Sequence, residues 1–137
     1  MNAMTKFFET RGMPFEEIDE RAISSAFLTD LPDGQEQAFN LFALLIEDEG
    51  DRYIRLTIVP FVDQPYDGYP SELYVAISRR NHDLPQLKFA FDDDDDLELA
   101  VDIPEAQLNQ AEFDRALQLL VDYASLNYGE FKALTET

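Results

Sequence analysis

Residues 87–103 read LKFAFDDDDDLELAVDI. Leu87, Phe89 and Phe91 alternate with Lys88 and Ala90 before the five aspartates, and the same alternation resumes after them. A period of two is typical of a strand that has one apolar and one solvated face. The stretch therefore predicts a β-hairpin with an acidic turn.

Upstream of this hairpin the sequence predicts a second one. Residues 38–46 are almost continuously apolar, as in a central strand that is covered on both faces or lies at a subunit contact. The apolar run starting at Phe39 is more typical of core than of interface. Residues 53–59 alternate cleanly, and a weaker strand is predicted over residues 23–28.

Three segments have helical spacing. The first ends near Gly12, the second covers about residues 71–81, and the third covers about residues 109–127. Asn109 and Glu112 have capping-box spacing at the start of the last helix, and Gly129 is a candidate C-terminal cap. Ser71 or Asp67 is the predicted N-cap of the second helix.

These segments follow one another in the order α-β-β-β-α-β-β-α. Runs of strands joined by tight hairpins favour an antiparallel sheet. The sequence therefore predicts an α+β fold, with a sheet of about five strands and helices packed mainly on one face. Residues 1–137 are expected to form a single domain.

The charge balance limits the classes of partner. The 29 acidic residues outnumber the 10 basic ones, which gives a formal net charge of -19. Such a surface repels phosphate backbones and anionic lipids, so we expect no nucleic-acid or membrane binding. It is compatible with a basic protein partner or with divalent cations.

Other compositional features exclude several kinds of site and transport. The absence of Cys excludes disulfides, thiol nucleophiles and Cys-ligated zinc. The N-terminal segment MNAMTKFFETRG lacks the long apolar core of a secretory signal, and no run approaches a membrane span. We therefore expect a cytoplasmic protein.

The C-terminal half resembles the YbjN-like family and the wider group of type III secretion chaperone-like proteins. The segment ISRRN at 77–81, followed by LKFAF at 87–91, is similar to a family pattern of a helix ending in Asn and a strand leading into an acidic turn. The turn here has no Gly, whereas the family usually has Asp-Gly. The resemblance implies a small, acidic, often dimeric module that binds proteins and has no catalytic residues.

The five aspartates at 92–96 are the most prominent candidate for cation binding. An EF-hand loop needs a glycine where Leu97 stands and a bidentate glutamate where Ile103 stands. We therefore expect a solvated hairpin turn whose charges discourage aggregation, with weak nonspecific cation binding as the alternative. No metal site or cofactor is predicted.

Neither the histidine nor the basic doublet predicts catalysis. His82, the only histidine, follows the predicted end of a helix and has no nucleophile motif around it. Arg79 and Arg80 could bind an acidic ligand, but pairing with nearby surface acids is the simpler expectation. We therefore predict no catalytic residues and no enzyme activity.

Three aromatic residues in the proline-rich loop at 60–70 are the candidate partner-binding residues. Phe61, Tyr66 and Tyr69 lie among Pro and Gly, where burial is hard to arrange, and Tyr is well suited to interfaces. The alternative is that these rings fold back onto the core.

The leading hypothesis is a non-catalytic protein-binding module, chaperone-like and homodimeric. It predicts an exposed apolar groove or sheet face rimmed by acids. One alternative is a small enzyme with a carboxylate or metal-assisted site. The other is a regulatory or assembly factor that binds a basic protein through charge alone.

Overall fold

The computed structural model describes residues 2–84 and 86–136. Within that part of the chain, six antiparallel strands form one sheet in the order β1-β2-β3-β4-β6-β5. The strands are Phe15–Asp19 (β1), Ala22–Asp30 (β2), Glu36–Asp48 (β3), Asp51–Ile58 (β4), Leu87–Phe91 (β5) and Leu97–Pro104 (β6).

One helix lies at the start of the chain, one between β4 and β5, and one at the end. They are Asn2–Arg11 (α1), Ser71–Asp83 (α2) and Gln110–Thr135 (α3), and a 3₁₀ turn, Glu105–Gln107, precedes α3. The predicted α+β class, with an antiparallel sheet, is confirmed.

The core lies between the helices and one face of the sheet. Leu41, Leu56 and Leu99, on three adjacent central strands, are fully buried on that face. Aromatic rings bridge the layers: Phe39 of β3 meets Tyr128 of α3 with ring centroids 5.2 Å apart. The burial of this apolar face is the main contribution to stability.

Strand β1 was not predicted, and the first run of strands has four members instead of three. Its residues are mostly acidic and exposed, so the strand signal is weak. It forms because its backbone pairs with β2, for example Phe15 with Ser25. The Phe15 ring also packs against Phe8 of α1, with centroids 6.0 Å apart.

The predicted end of the last helix was wrong, because α3 continues through Gly129 to Thr135. Phe131 is fully buried and packs against Phe61 and Phe89, with ring centroids 5.8 and 4.8 Å apart. Burying that ring outweighs the roughly 1 kcal/mol by which an interior glycine disfavours a helix.

The helix caps were predicted in part. The Asn109 side chain accepts a hydrogen bond from the Glu112 backbone N–H at 2.8 Å, as expected for an N-cap. The Glu112 carboxylate does not return to the cap and instead pairs with Arg115 at 2.9 Å. For α2, Pro70 occupies the N-cap position without a side-chain hydrogen bond, so the prediction of Ser71 or Asp67 was wrong.

A candidate protein-binding surface on the open face of the sheet

The two faces of β3 have different surroundings. Phe39, Leu41 and Ala43 point to the helices and are buried. Phe42 and Leu44 point to the opposite side and are only half-buried. Part of the apolar run at 38–46 is therefore core, as predicted, while alternate residues lie on the sheet face turned away from the helices.

We call that side the open face and its apolar residues the open-face strip. Within the described residues, none of the three helices packs against it. The neighbouring β2 residues are small: Ala22 lies opposite Leu44, and Ser24 opposite Phe42. Small neighbours leave the larger side chains accessible. The strip comprises Phe42, Leu44 and Ile46 of β3 and Leu28 of β2, which is 67% exposed.

A charged network borders the strip on β4 and β6. Arg55 makes two hydrogen bonds to the Asp102 carboxylate, at 2.8 and 3.1 Å, and lies 4.0 Å from Glu98. The hydrogen bond to Asp102 raises the pKa of Arg55, although partial burial opposes the shift. Thr57 donates its hydroxyl to the other Glu98 oxygen at 3.1 Å. These hydrogen bonds and ion pairs hold the polar side chains of β4 and β6 in place on the open face.

Acidic residues also surround the end of the strip at the β3–β4 turn. Glu47, the residue after Ile46 on β3, alternates to the helix side of the sheet, where it is paired with Arg21 at 3.0 Å and lies 3.6 Å from Arg52. Asp48 and Asp51 follow in the exposed turn. The open face therefore combines an apolar strip with a mainly acidic border, the arrangement predicted for a protein-binding surface.

The three loop aromatics predicted to bind a partner are placed differently from one another. Phe61 is buried between Phe39 and Phe131. Tyr69 is also buried: its hydroxyl donates to the Val62 carbonyl at 2.7 Å and accepts from the Leu97 N–H at 3.1 Å.

Tyr66 is fully exposed, at 105% of the reference area. The structure therefore does not bring the three rings together on one surface. Two of them fold back onto the core, and Tyr66 alone presents its ring to solvent.

The acidic turn is a compact hairpin loop. The Asp92 carboxylate accepts hydrogen bonds from the backbone N–H groups of Asp94 and Asp96, each at 2.9 Å. Asp95 has a left-handed backbone with φ 61°. Across residues 2–84 and 86–136, no group of three or more His, Asp or Glu side chains is placed to hold a metal ion.

The basic doublet and the histidine lie at or near the end of α2. Arg80 pairs with Glu130 of α3, as expected for a surface cation near an acid. Arg79 and His82 are exposed. A shallow cavity of about 470 Å³ between α2 and α3 is lined partly by Arg79, Arg80 and Leu134.

Sequence reasoning missed the open-face strip as a site. A usable signal was present, because strand 53–59 alternates whereas its partner strand 38–46 does not. If the helices cover one face only, every second residue of a continuously apolar strand must face away from them. Combining these two predictions would have identified Phe42 and Leu44.

Two solved structures are similar to this chain. One, described as the ExsC–ExsE complex, matches with a TM-score of 0.60 and 20% identity over 95% of this chain and 91% of the other. The second, described as the HopA1–SchA chaperone–effector complex, matches with a TM-score of 0.55 and 14% identity over 99% and 92% of the two chains.

These similarities extend over nearly the whole chain and show that it shares its fold with the matched chains of these two structures. At such low identity they show the fold alone. No protein-family model and no curated protein matches the chain. In the part of the chain that the structure describes, no helix is both long and apolar enough to cross a membrane.

Proposed function

We propose that this chain is a non-catalytic, chaperone-like protein-binding module that forms a homodimer in the cytoplasm. Residues 1–137 would act as one YbjN-like, secretion-chaperone-like domain. The observation that carries the proposal is the open-face strip: a central strand, apolar on both sides, is covered by helices on one side only.

Burial energetics support a role for the strip. Each large aliphatic or aromatic side chain gains roughly 1.5–3 kcal/mol when it is moved from water into a packed contact. In the free chain Phe42, Leu44 and Leu28 are still partly exposed, so part of this burial free energy remains available to a binding partner. Phe42, Leu44 and Ile46 lie side by side on one sheet face, and accessible apolar surface of this kind is characteristic of interaction sites.

The similar structures also support a protein partner. Both are described as complexes of two proteins, and one of these as a chaperone–effector complex. The strip would be one contact surface, and the exposed ring of Tyr66 could add a second contact from the loop. The net charge of -19 favours a partner segment that is basic as well as apolar.

The proposal is tested by affinity capture from native cell extract at low and at high salt, comparing the natural chain with two variants. Leu44→Glu places a charge in the strip. Ala90→Glu places the same charge on the open face of β5, three strands away, about 14 Å at ordinary strand spacing. Both positions face away from the core, so both variants should fold. Because Ala90 lies opposite Glu98, the control adds a like-charge pair of modest cost, and circular dichroism of each variant checks its folding.

We expect the natural chain and Ala90→Glu to retain the same dominant protein at high salt, and Leu44→Glu to lose it by tenfold or more. Retention at low salt only would favour the charge-driven alternative, because exposed charge attraction is screened by salt. Equal retention by all three chains at high salt would contradict binding through the strip.

A further inference from the structure

The sheet has two edge strands, β1 and β5, and their surroundings differ. An edge strand presents backbone N–H and C=O groups that can pair with another strand. On β1, residues 16–19 are exposed, three of them are acidic, and the pairing with β2 shifts register between Glu17 and Asp19. Charges and irregular pairing therefore protect the β1 edge.

The β5 edge is protected in a different way. The Asn81 side chain, near the end of α2, donates from Nδ2 to the Phe89 carbonyl at 2.8 Å. Its Oδ1 accepts from the Phe89 N–H, also at 2.8 Å. The side-chain amide thus makes the same donor–acceptor pair of bonds that a residue of an added strand would make.

Because of the position of Phe89 in β5, these two hydrogen bonds are enough to prevent another strand from pairing with this edge. Backbone groups of successive residues in an antiparallel strand point alternately to its two sides. Since those of Phe89 point to Asn81, they point away from β6, and only Leu87 and Phe91 direct theirs to the same side. Phe89 is the middle residue of this five-residue strand, so blocking it leaves no two adjacent outward positions for pairing.

Contacts on either side hold Asn81 in place. Lys88 Nζ donates to the carbonyls of Asn81 and Leu84, at 3.1 and 3.3 Å, and so ties the end of α2 to β5. The Tyr74 ring of α2 packs on Phe91, with centroids 4.9 Å apart. An amide held in this way loses little side-chain entropy on forming its two bonds.

We propose that Asn81 closes the β5 edge to strand addition and that its removal opens this edge to β5 of a second copy of the chain. Asn81 thus blocks one of two protected sheet edges, and without it β5 would be the edge available for pairing. This inference rests on the Asn81–Phe89 geometry and not on the proposed function.

Two substitutions test it in the full chain. Asn81→Ala removes both hydrogen bonds, and Asn81→Leu removes them while keeping the side-chain volume, in case the smaller residue destabilises α2. Ser78→Ala, at an exposed position on the same helix, is the matched control. Amide hydrogen exchange by NMR and sedimentation velocity at low and high protein concentration supply the readouts.

At low concentration, we expect the Phe89 amide of either Asn81 variant to exchange about tenfold faster than in the natural chain, as for the loss of one hydrogen bond. Lys88 and Ala90 should change little, because their backbone groups point to β6. At high concentration the variants should form a larger species than the natural chain and Ser78→Ala, and the Phe89 amide should regain protection.

Unchanged exchange at Phe89, or a sedimentation coefficient equal to that of the natural chain at every concentration, would overturn the proposal. A failure of the open-face strip to bind would not change the exchange of the Phe89 amide, and it would change the sedimentation of the natural chain and of the Asn81 variants alike. The two proposals can therefore fail separately.

Discussion

At the scale of single residues, the acidic turn contains a conformational strain that one substitution should relieve. Asp95 adopts φ 61°, a left-handed conformation that disfavours residues with a Cβ by about 1 kcal/mol. We expect Asp95→Gly to raise the free energy of unfolding by about 0.5–1 kcal/mol in urea denaturation.

The matched control for this substitution is Asp93→Gly, which removes the same charge from a residue without a left-handed backbone. It should give no gain, because the added glycine only increases the freedom of the unfolded chain. If the two variants are equally stabilised, the gain would come from charge removal and the backbone explanation would be wrong.

Asp96, at the end of the same turn, gives a prediction about pH. Partial burial, followed by repulsion from Asp92 and Asp94, raises the pKa of the Asp96 carboxyl above its ordinary value. The folded chain therefore binds more protons than the unfolded chain between the two pKa values, and stability falls as pH rises through that interval. At neutral pH the ionised Asp96 is destabilising.

Asp96→Asn should accordingly raise the melting temperature at pH 7, and the gain should shrink as the pH falls below about 4, where both states are protonated. Thermal unfolding followed by circular dichroism at both pH values measures this effect. A gain of equal size at pH 7 and pH 3 would contradict it.

At the scale of elements, Tyr69 fastens the loop at 59–70 to the sheet. Its buried hydroxyl links the Val62 carbonyl to the Leu97 N–H of β6. Tyr69→Phe leaves both groups without that partner, so we expect a loss of about 1–3 kcal/mol in the free energy of unfolding. Tyr66→Phe, on the fully exposed ring, should change it by less than about 0.5 kcal/mol.

Elements with a strong local pattern could be predicted from sequence. The hairpin at 87–103 formed as expected, with Leu87, Phe89 and Leu99 buried on one face. The expected solvated face was wrong for part of β6, where Glu98 and Ala100 are buried as well. Asn109 also capped α3 as expected. In these cases the local signal and the tertiary contacts favour the same structure.

Elements that depend on distant contacts could not be predicted. The strand at Phe15–Asp19 exists through pairing with β2, and the last turns of α3 exist because Phe131 reaches the core. Whether Phe61, Tyr66 and Tyr69 are buried or exposed also depends on the path of their loop, which composition does not determine. The open-face strip required knowing which side of β3 the helices cover.

At the scale of the whole molecule, the fold separates two kinds of surface. The helices and one sheet face enclose the core, whereas the other sheet face presents an apolar strip beside charged residues. With a net charge of -19, two copies repel each other at long range, so a homodimer must gain its stability from apolar contacts such as the strip. A basic partner would be favoured both by apolar contacts and by attraction to the negative charge of the chain.

The most direct test of binding through the open face uses the absence of cysteine in the chain. Leu44→Cys and Ala90→Cys each introduce one thiol on the open face, inside and outside the strip. The rate of labelling by a thiol reagent is measured for each variant, alone and with the partner retained at high salt. We predict that the partner slows labelling at position 44 by at least tenfold and leaves position 90 unchanged, whereas equal rates at position 44 with and without partner would contradict the account.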